Sequence, residues 1–132
     1  MFYYIKKYFT CQDSLTISNY LLYALHMDFI PFVSPAEQAK GLMYREEPLG
    51  PNAAGLFIYD KPEMRSFWMK NTYIPLDIVF LDENGEIVGI HLNAKPESEE
   101  SIESPVPAQY VIELDAGEAS ALALRVGDQF FL

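Results

Sequence analysis

The sequence holds one cysteine, Cys11, two histidines, His26 and His91, and only nine Lys and Arg among 132 residues. A single thiol excludes an internal disulfide and a dithiol redox pair. No Lys, Arg or His stands within three positions of Cys11 to lower its pKa, so it reads as a passive residue. Neither histidine has a second His or Cys at ligand spacing, and neither a metal nor a cofactor is expected. Nine cations against 19 acids leave a net charge of −10 and a pI near 4.5. That balance supplies no basic footprint for phosphate and excludes nucleic acid as an expected partner. A phosphate-cradling glycine loop, a Gly-x-Ser-x-Gly elbow and a dinucleotide fingerprint are all absent, which removes the usual sequence support for nucleotide, serine-hydrolase and hydride-transfer chemistry.

Long apolar runs are also missing. The stretch Tyr20 to Leu25 has six residues before His26, far below the roughly 18 needed to span a bilayer. The opening Met1 to Cys11 is apolar, but Lys6 and Lys7 fall inside it, whereas a secretory signal places its charge before an unbroken apolar stretch. A soluble protein, cytoplasmic by default, is expected.

What is present is enough to fold. Half of the residues are hydrophobic and 19 are Phe, Tyr or Trp, so residues 1–132 are expected to form a single domain with one well-packed core. From Leu15 to Phe29 the apolar residues recur with period two, broken at Ser18-Asn19, which predicts two N-terminal strands with Pro31 closing the second. Ser34-Pro35-Ala36-Glu37 is a capping box and opens a short helix. Pro48, Gly50 and Pro51 end it near residues 44–47.

Gly55 to Tyr59 and Arg65 to Lys70 read as strands separated by a turn at Asp60-Lys61-Pro62-Glu63. Leu76 to Leu81 and Glu86 to Leu92 form a hairpin through Asn84-Gly85. Residues 95–107, with three prolines and four glutamates, read as a solvated loop. Ala108 to Leu114 alternates as a strand, Asp115-Ala116-Gly117-Glu118 opens a second helix through Leu124, and Gln129 to Leu132 is a last strand. About eight short strands and two brief helices predict a mainly β protein: an antiparallel β sandwich, jelly-roll-like or barrel-like.

Six residues are candidates for a ligand-binding site. Asp77 is a carboxylate in an apolar strand, and it must be hydrogen-bonded or paired there, or take up a proton. It either holds the adjacent loop in shape or serves as an acid, a base or a ligand contact. Arg45 is either a solvated charge, a partner of Asp77 or Glu113, or an anchor for an anion. In Phe67-Trp68-Met69-Lys70-Asn71, Phe67, Met69 and Asn71 point one way and Trp68 and Lys70 the other. Indole and ammonium together suit a carboxylate or sugar. Glu113 is the second acid set among apolar strand neighbours.

The segment Phe67-Trp68-Met69-Lys70-Asn71-Thr72-Tyr73-Ile74-Pro75-Leu76-Asp77 resembles the signature of a prokaryotic family, domain of unknown function 192. Gly41-Leu42-Met43-Tyr44-Arg45, Ala94-Lys95-Pro96, Glu113-Leu114-Asp115-Ala116-Gly117 and Gly127-Asp128 follow that family's order. The resemblance covers about residues 29–132. It implies a jelly-roll-like sandwich and no established activity, and exported relatives make an envelope location the alternative to the cytoplasm. Residues 1–28 stand apart as N-terminal strands. The function expected is a small ligand-binding or interaction module with an unknown small molecule or protein as partner; whether it is an enzyme is left open, the balance leaning against one. The alternatives are a hydrolase using Asp77 and Glu113 as a carboxylate pair, or an assembly protein whose exposed N-terminal strand pairs with another chain.

Overall fold

The computed structural model describes residues 2–6 and 25–132. The break at Ser18-Asn19, the strand before it and Cys11 lie outside those residues. In chain order the elements are β1 (Phe2–Lys6), β2 (Leu25–Phe32), α1 (Pro35–Lys40), β3 (Ala53–Glu63), β4 (Ser66–Phe67), β5 (Leu76–Leu81), β6 (Ile87–Ala94), β7 (Ile102–Glu103), β8 (Ala108–Asp115), α2 (Glu118–Ala121) and β9 (Gln129–Phe131). Seven strands make one sheet in the order β6-β5-β8-β3-β2-β1-β9, and β4 pairs with β7 in a separate two-stranded sheet. The protein is mainly β with two short helices, as its sequence pattern predicts.

The pairing is antiparallel except at one place. β2 and β3 run parallel, from Asp28 opposite Ala53 to Phe32 opposite Phe57. Parallel neighbours need a crossover, and α1 with the segment after it is that crossover. β1 lies between β2 and β9, so it is an interior strand of the sheet. The outer strands meet at a single bridge, Glu86 with Gln129, supported by Phe130 N–H donating to Gly85 O at 2.8 Å. The sheet thus curls on itself without forming a closed barrel. Gly85 permits the approach, since a Cβ on it would fall 2.3 Å from the Phe130 carbonyl.

Each face of the large sheet has its own core. Side chains alternate along a strand, so Leu56, Val79, Ile112 and Leu114 enter one core with Met27, Phe130 and, from α2, Ala119. Phe57, Ile78, Phe80 and Val111 enter the other, covered by Leu42, Met69, Ile74 and Ile102. The second layer of the sandwich is therefore two very short strands plus the loops that flank them. β5, covered on both sides, has six consecutive buried residues.

Several boundaries differ from expectation for identifiable reasons. The capping box forms: the Glu37 N–H donates to Ser34 Oγ at 3.2 Å, and the Ser34 N–H donates to Glu37 Oε2 at 2.9 Å. The helix stops at Lys40 because Gly41 turns to φ +48° and gives its N–H to the Glu37 carbonyl, well before Pro48. β3 continues through the expected turn to Glu63, absorbing Asp60-Lys61-Pro62 as an irregularity in its pairing with β8. Only Ser66 and Phe67 of the expected strand 65–70 are paired. β2 passes through Pro31 to Phe32. The loop after residue 95 contains β7, and α2 stops at Ala121. No helix among the described residues is long and apolar enough to cross a membrane.

Candidate ligand-binding site

Three separated stretches converge on one face of the sheet. The Tyr44 N–H donates to Asn71 O at 2.8 Å, and Asn71 Nδ2 donates to the Tyr44 hydroxyl at 3.1 Å. The Met69 N–H donates to Ser98 O at 2.8 Å and the Glu97 N–H to Thr72 O at 3.0 Å. The turn after α1, the segment 67–72 and the loop after β6 are thus pinned together. Tyr44 and Asn71 adopt positive φ of 65° and 54° to do so. Gln38 ties α1 to the sheet by donating to Ile58 O at 2.7 Å.

Between these segments and the sheet lies a cleft of about 280 Å³. Phe57, Tyr59, Phe67 and Trp68 line it, with Thr72 and Glu113. Glu113 reaches it because β8 pairs this residue with Gly55 of β3 on one side and Ile78 of β5 on the other, on the face that carries the outer core. Glu113 is 5 % exposed, and its buried Oε2 has no hydrogen-bond partner. Burial pushes its pKa up to about 8, so the carboxyl is largely protonated at neutral pH. In that form it donates one hydrogen bond and accepts others; ionised, it only accepts. Burial also raises the Tyr59 hydroxyl, with the Arg65 guanidinium opposing and Glu113 adding to the shift. Gly41 leaves the space above, since a Cβ there would sit 2.9 Å from the Phe57 ring and 3.7 Å from Glu113 Oε2.

The six candidate residues do not form one patch. Trp68 and Glu113 share the cleft, Trp68 being 47 % exposed. Lys70 stands 5.1 Å from the Trp68 ring centroid but pairs with Glu99 at 3.2 Å. Asn71 locks Tyr44. Arg45 lines a different groove with Ile30 and Tyr44 and donates from Nε to Glu47 O at 2.8 Å.

Asp77 lies on the opposite face from Glu113, since it registers with Leu114 while Ile78 registers with Glu113. Its carboxylate is 1 % exposed and accepts from the backbone N–H groups of Asn93 at 2.8 Å, Gly117 at 2.9 Å and Ala119 at 3.1 Å. It therefore does for α2 what an N-cap side chain does. Asp115, placed by sequence to open that helix, instead accepts from the Leu49 and Gly50 N–H groups at 3.0 and 2.8 Å. Two carboxylates on opposite faces share no bond to cleave, so the hydrolase pairing has no geometry. Phe57, Tyr59 and Thr72 also line the cleft; alternation from Phe57 to Tyr59 is the one sequence signal for the first two, and Thr72 carries none.

Among the described residues, no group of three or more His, Cys, Asp or Glu is placed to hold a metal ion. The geometry defines a small, curled β protein with one buried acid under an aromatic cleft. Residues 31–132 match the family domain of unknown function 192, described as "Uncharacterized ACR", and the chain belongs to that family. It is similar to the crystal structure of a "putative transcription regulator" from Sinorhizobium meliloti 1021, with 37% identity over 84% of this chain and 85% of that one and a TM-score of 0.80. It is also similar to a protein of unknown function from Novosphingobium aromaticivorans DSM 12444, with 36% identity over 83% of this chain and 77% of that one and a TM-score of 0.79. No curated protein matches the chain.

Proposed function

We propose that this protein binds a small molecule in the cleft above Glu113. One observation carries the reading: a buried glutamate with one unpartnered carboxyl oxygen lines an aromatic cavity. A polar group buried without a partner is costly, and convergent aromatics around a strongly shifted acid are the marks of a binding site. Glu113, Trp68 and Thr72 are the contacts, with Lys70 and Asn71 at the rim; Arg45 and Asp77 stand outside it. A direct role on DNA, as the description of the Sinorhizobium protein would suggest, is disfavoured by the net charge of −10. The proposed location is the cytoplasm, which cell fractionation tests.

Trp68 is the single tryptophan of the chain, so its fluorescence reports on the cleft alone. A thermal-shift screen of small metabolites, followed by Trp68 emission, is expected to find ligands that stabilise the wild type and change that emission, and whose effect is lost in W68A and E113Q. Ligands that stabilise both variants as they do the wild type would move the site elsewhere. A screen without any ligand acting on Trp68 emission would overturn the reading.

A further inference from the structure

The cleft has a carboxyl in search of a donor, and the one basic residue of its lining, Lys40, is exposed to solvent. Buried polar atoms are nearly always partnered, and Oε2 of Glu113 is not. Two nearby cations are engaged elsewhere. Lys70 is held by Glu99, and Arg65 gives its guanidinium to the carbonyls of Ala108 and Lys61 and to Glu63. Lys40 and Tyr59 are the other titratable residues of the lining; the strand residues beside Glu113, Gly55 and Ile78, are apolar.

We propose that the cleft takes a small organic cation, a primary ammonium or guanidinium on a short alkyl stem, with its N–H groups on Glu113 Oε2 and its stem along Phe67 and Trp68. This rests on the ligand-binding reading and names the ligand class. Aromatic rings attract cations through their negative faces, and a chain with ten surplus negative charges draws cations toward it. An anion would meet the buried Glu113 acid, with only the solvent-exposed Lys40 as a base in the lining. The binding step balances simply: Glu113 gives its proton to solvent, the cation occupies the place of that proton, and no covalent bond forms or breaks.

The full-length chain is titrated with n-butylammonium and n-butylguanidinium, with pentanamide and butanoate as neutral and anionic counterparts, and read by Trp68 fluorescence and calorimetry in two buffers of different ionisation enthalpy. Both cations are expected to bind with release of close to one proton. Their affinity should rise about tenfold from pH 6 to pH 7, because the ionised fraction of an acid titrating above 7 rises tenfold per unit. E113Q should lose this response, and proton release in the wild type stands even if that variant folds poorly. Tighter binding of pentanamide or butanoate at the cleft overturns the cation assignment and leaves the binding site standing. Cation binding without proton release, or equal in E113Q, overturns it as well. Failure of all four probes to change Trp68 emission overturns the assignment, and the metabolite screen then decides whether the site itself stands.

Discussion

Replacing Glu113 with glutamine isolates the cost of burying this acid. In the folded chain the carboxyl titrates near 8; its ordinary value is 4.5. Between those values the folded state holds a proton that the unfolded state has released. Stability from this group is therefore complete below about pH 4.5, declines as pH rises, and stops declining once the folded carboxyl ionises above about 8. The slope is about 1.4 kcal/mol per pH unit. Allowing for partial ionisation at the upper end, the loss between pH 5 and pH 8 is on the order of 3 to 4 kcal/mol. Glutamine has nearly the same shape and no proton to lose.

Urea unfolding of wild type and E113Q at pH 5, 6, 7 and 8, followed by far-UV circular dichroism, measures the difference. The other titrating groups are shared and cancel. E113Q is expected to gain on the wild type by about 1 kcal/mol with each unit of pH between 5 and 8. Stability curves that stay parallel across this range would refute the burial of a protonated carboxyl.

Asp77, in contrast, has its hydrogen-bond partners in place. D77A leaves three backbone N–H groups without their acceptor and should cost about 3 kcal/mol or more in urea unfolding at neutral pH. A cost under about 1 kcal/mol would mean that the carboxylate does not hold α2. G41A adds a Cβ 2.9 Å from the Phe57 ring at a residue with φ +48°. It should lower stability by about 1 to 2 kcal/mol and weaken binding of any cleft ligand; an unchanged melting temperature would contradict this packing. W68A, at a half-exposed side chain, should change stability by less than about 1 kcal/mol, and a larger loss in thermal melting would make Trp68 a core residue.

Local signals in the sequence were sufficient wherever the structure is local. The capping box of α1 and the Asn84-Gly85 turn act within a few residues, and both are where pattern places them. Met69 is buried beside an exposed Trp68, where alternation would place them, although the paired strand ends at Phe67. The errors arise where a partner comes from far along the chain. Asp77 and Asp115 each satisfy backbone donors of a distant segment, so the acid that looks like the cap of α2 serves the 49–50 turn, and a strand residue caps the helix in its place. Pro31 and Asp60-Lys61-Pro62-Glu63 look like stops, yet ladder pairing carries β2 and β3 through them. Both acids of interest were visible as charges among apolar neighbours. That they face opposite sides of the sheet depends on the register of β5 with β8, which residue type alone does not encode.

The protonation of Glu113 can be observed directly. Carbon-13 labelling of the glutamate carboxyls and an NMR titration from pH 4 to pH 10 follows the Glu113 side chain, assigned by its absence in E113Q. The account predicts one glutamate with a midpoint near 8, moving together with the indole signal of Trp68. A Glu113 midpoint in the ordinary carboxylate range would show an acid already solvated or paired, and the cleft would lose the group on which its function rests.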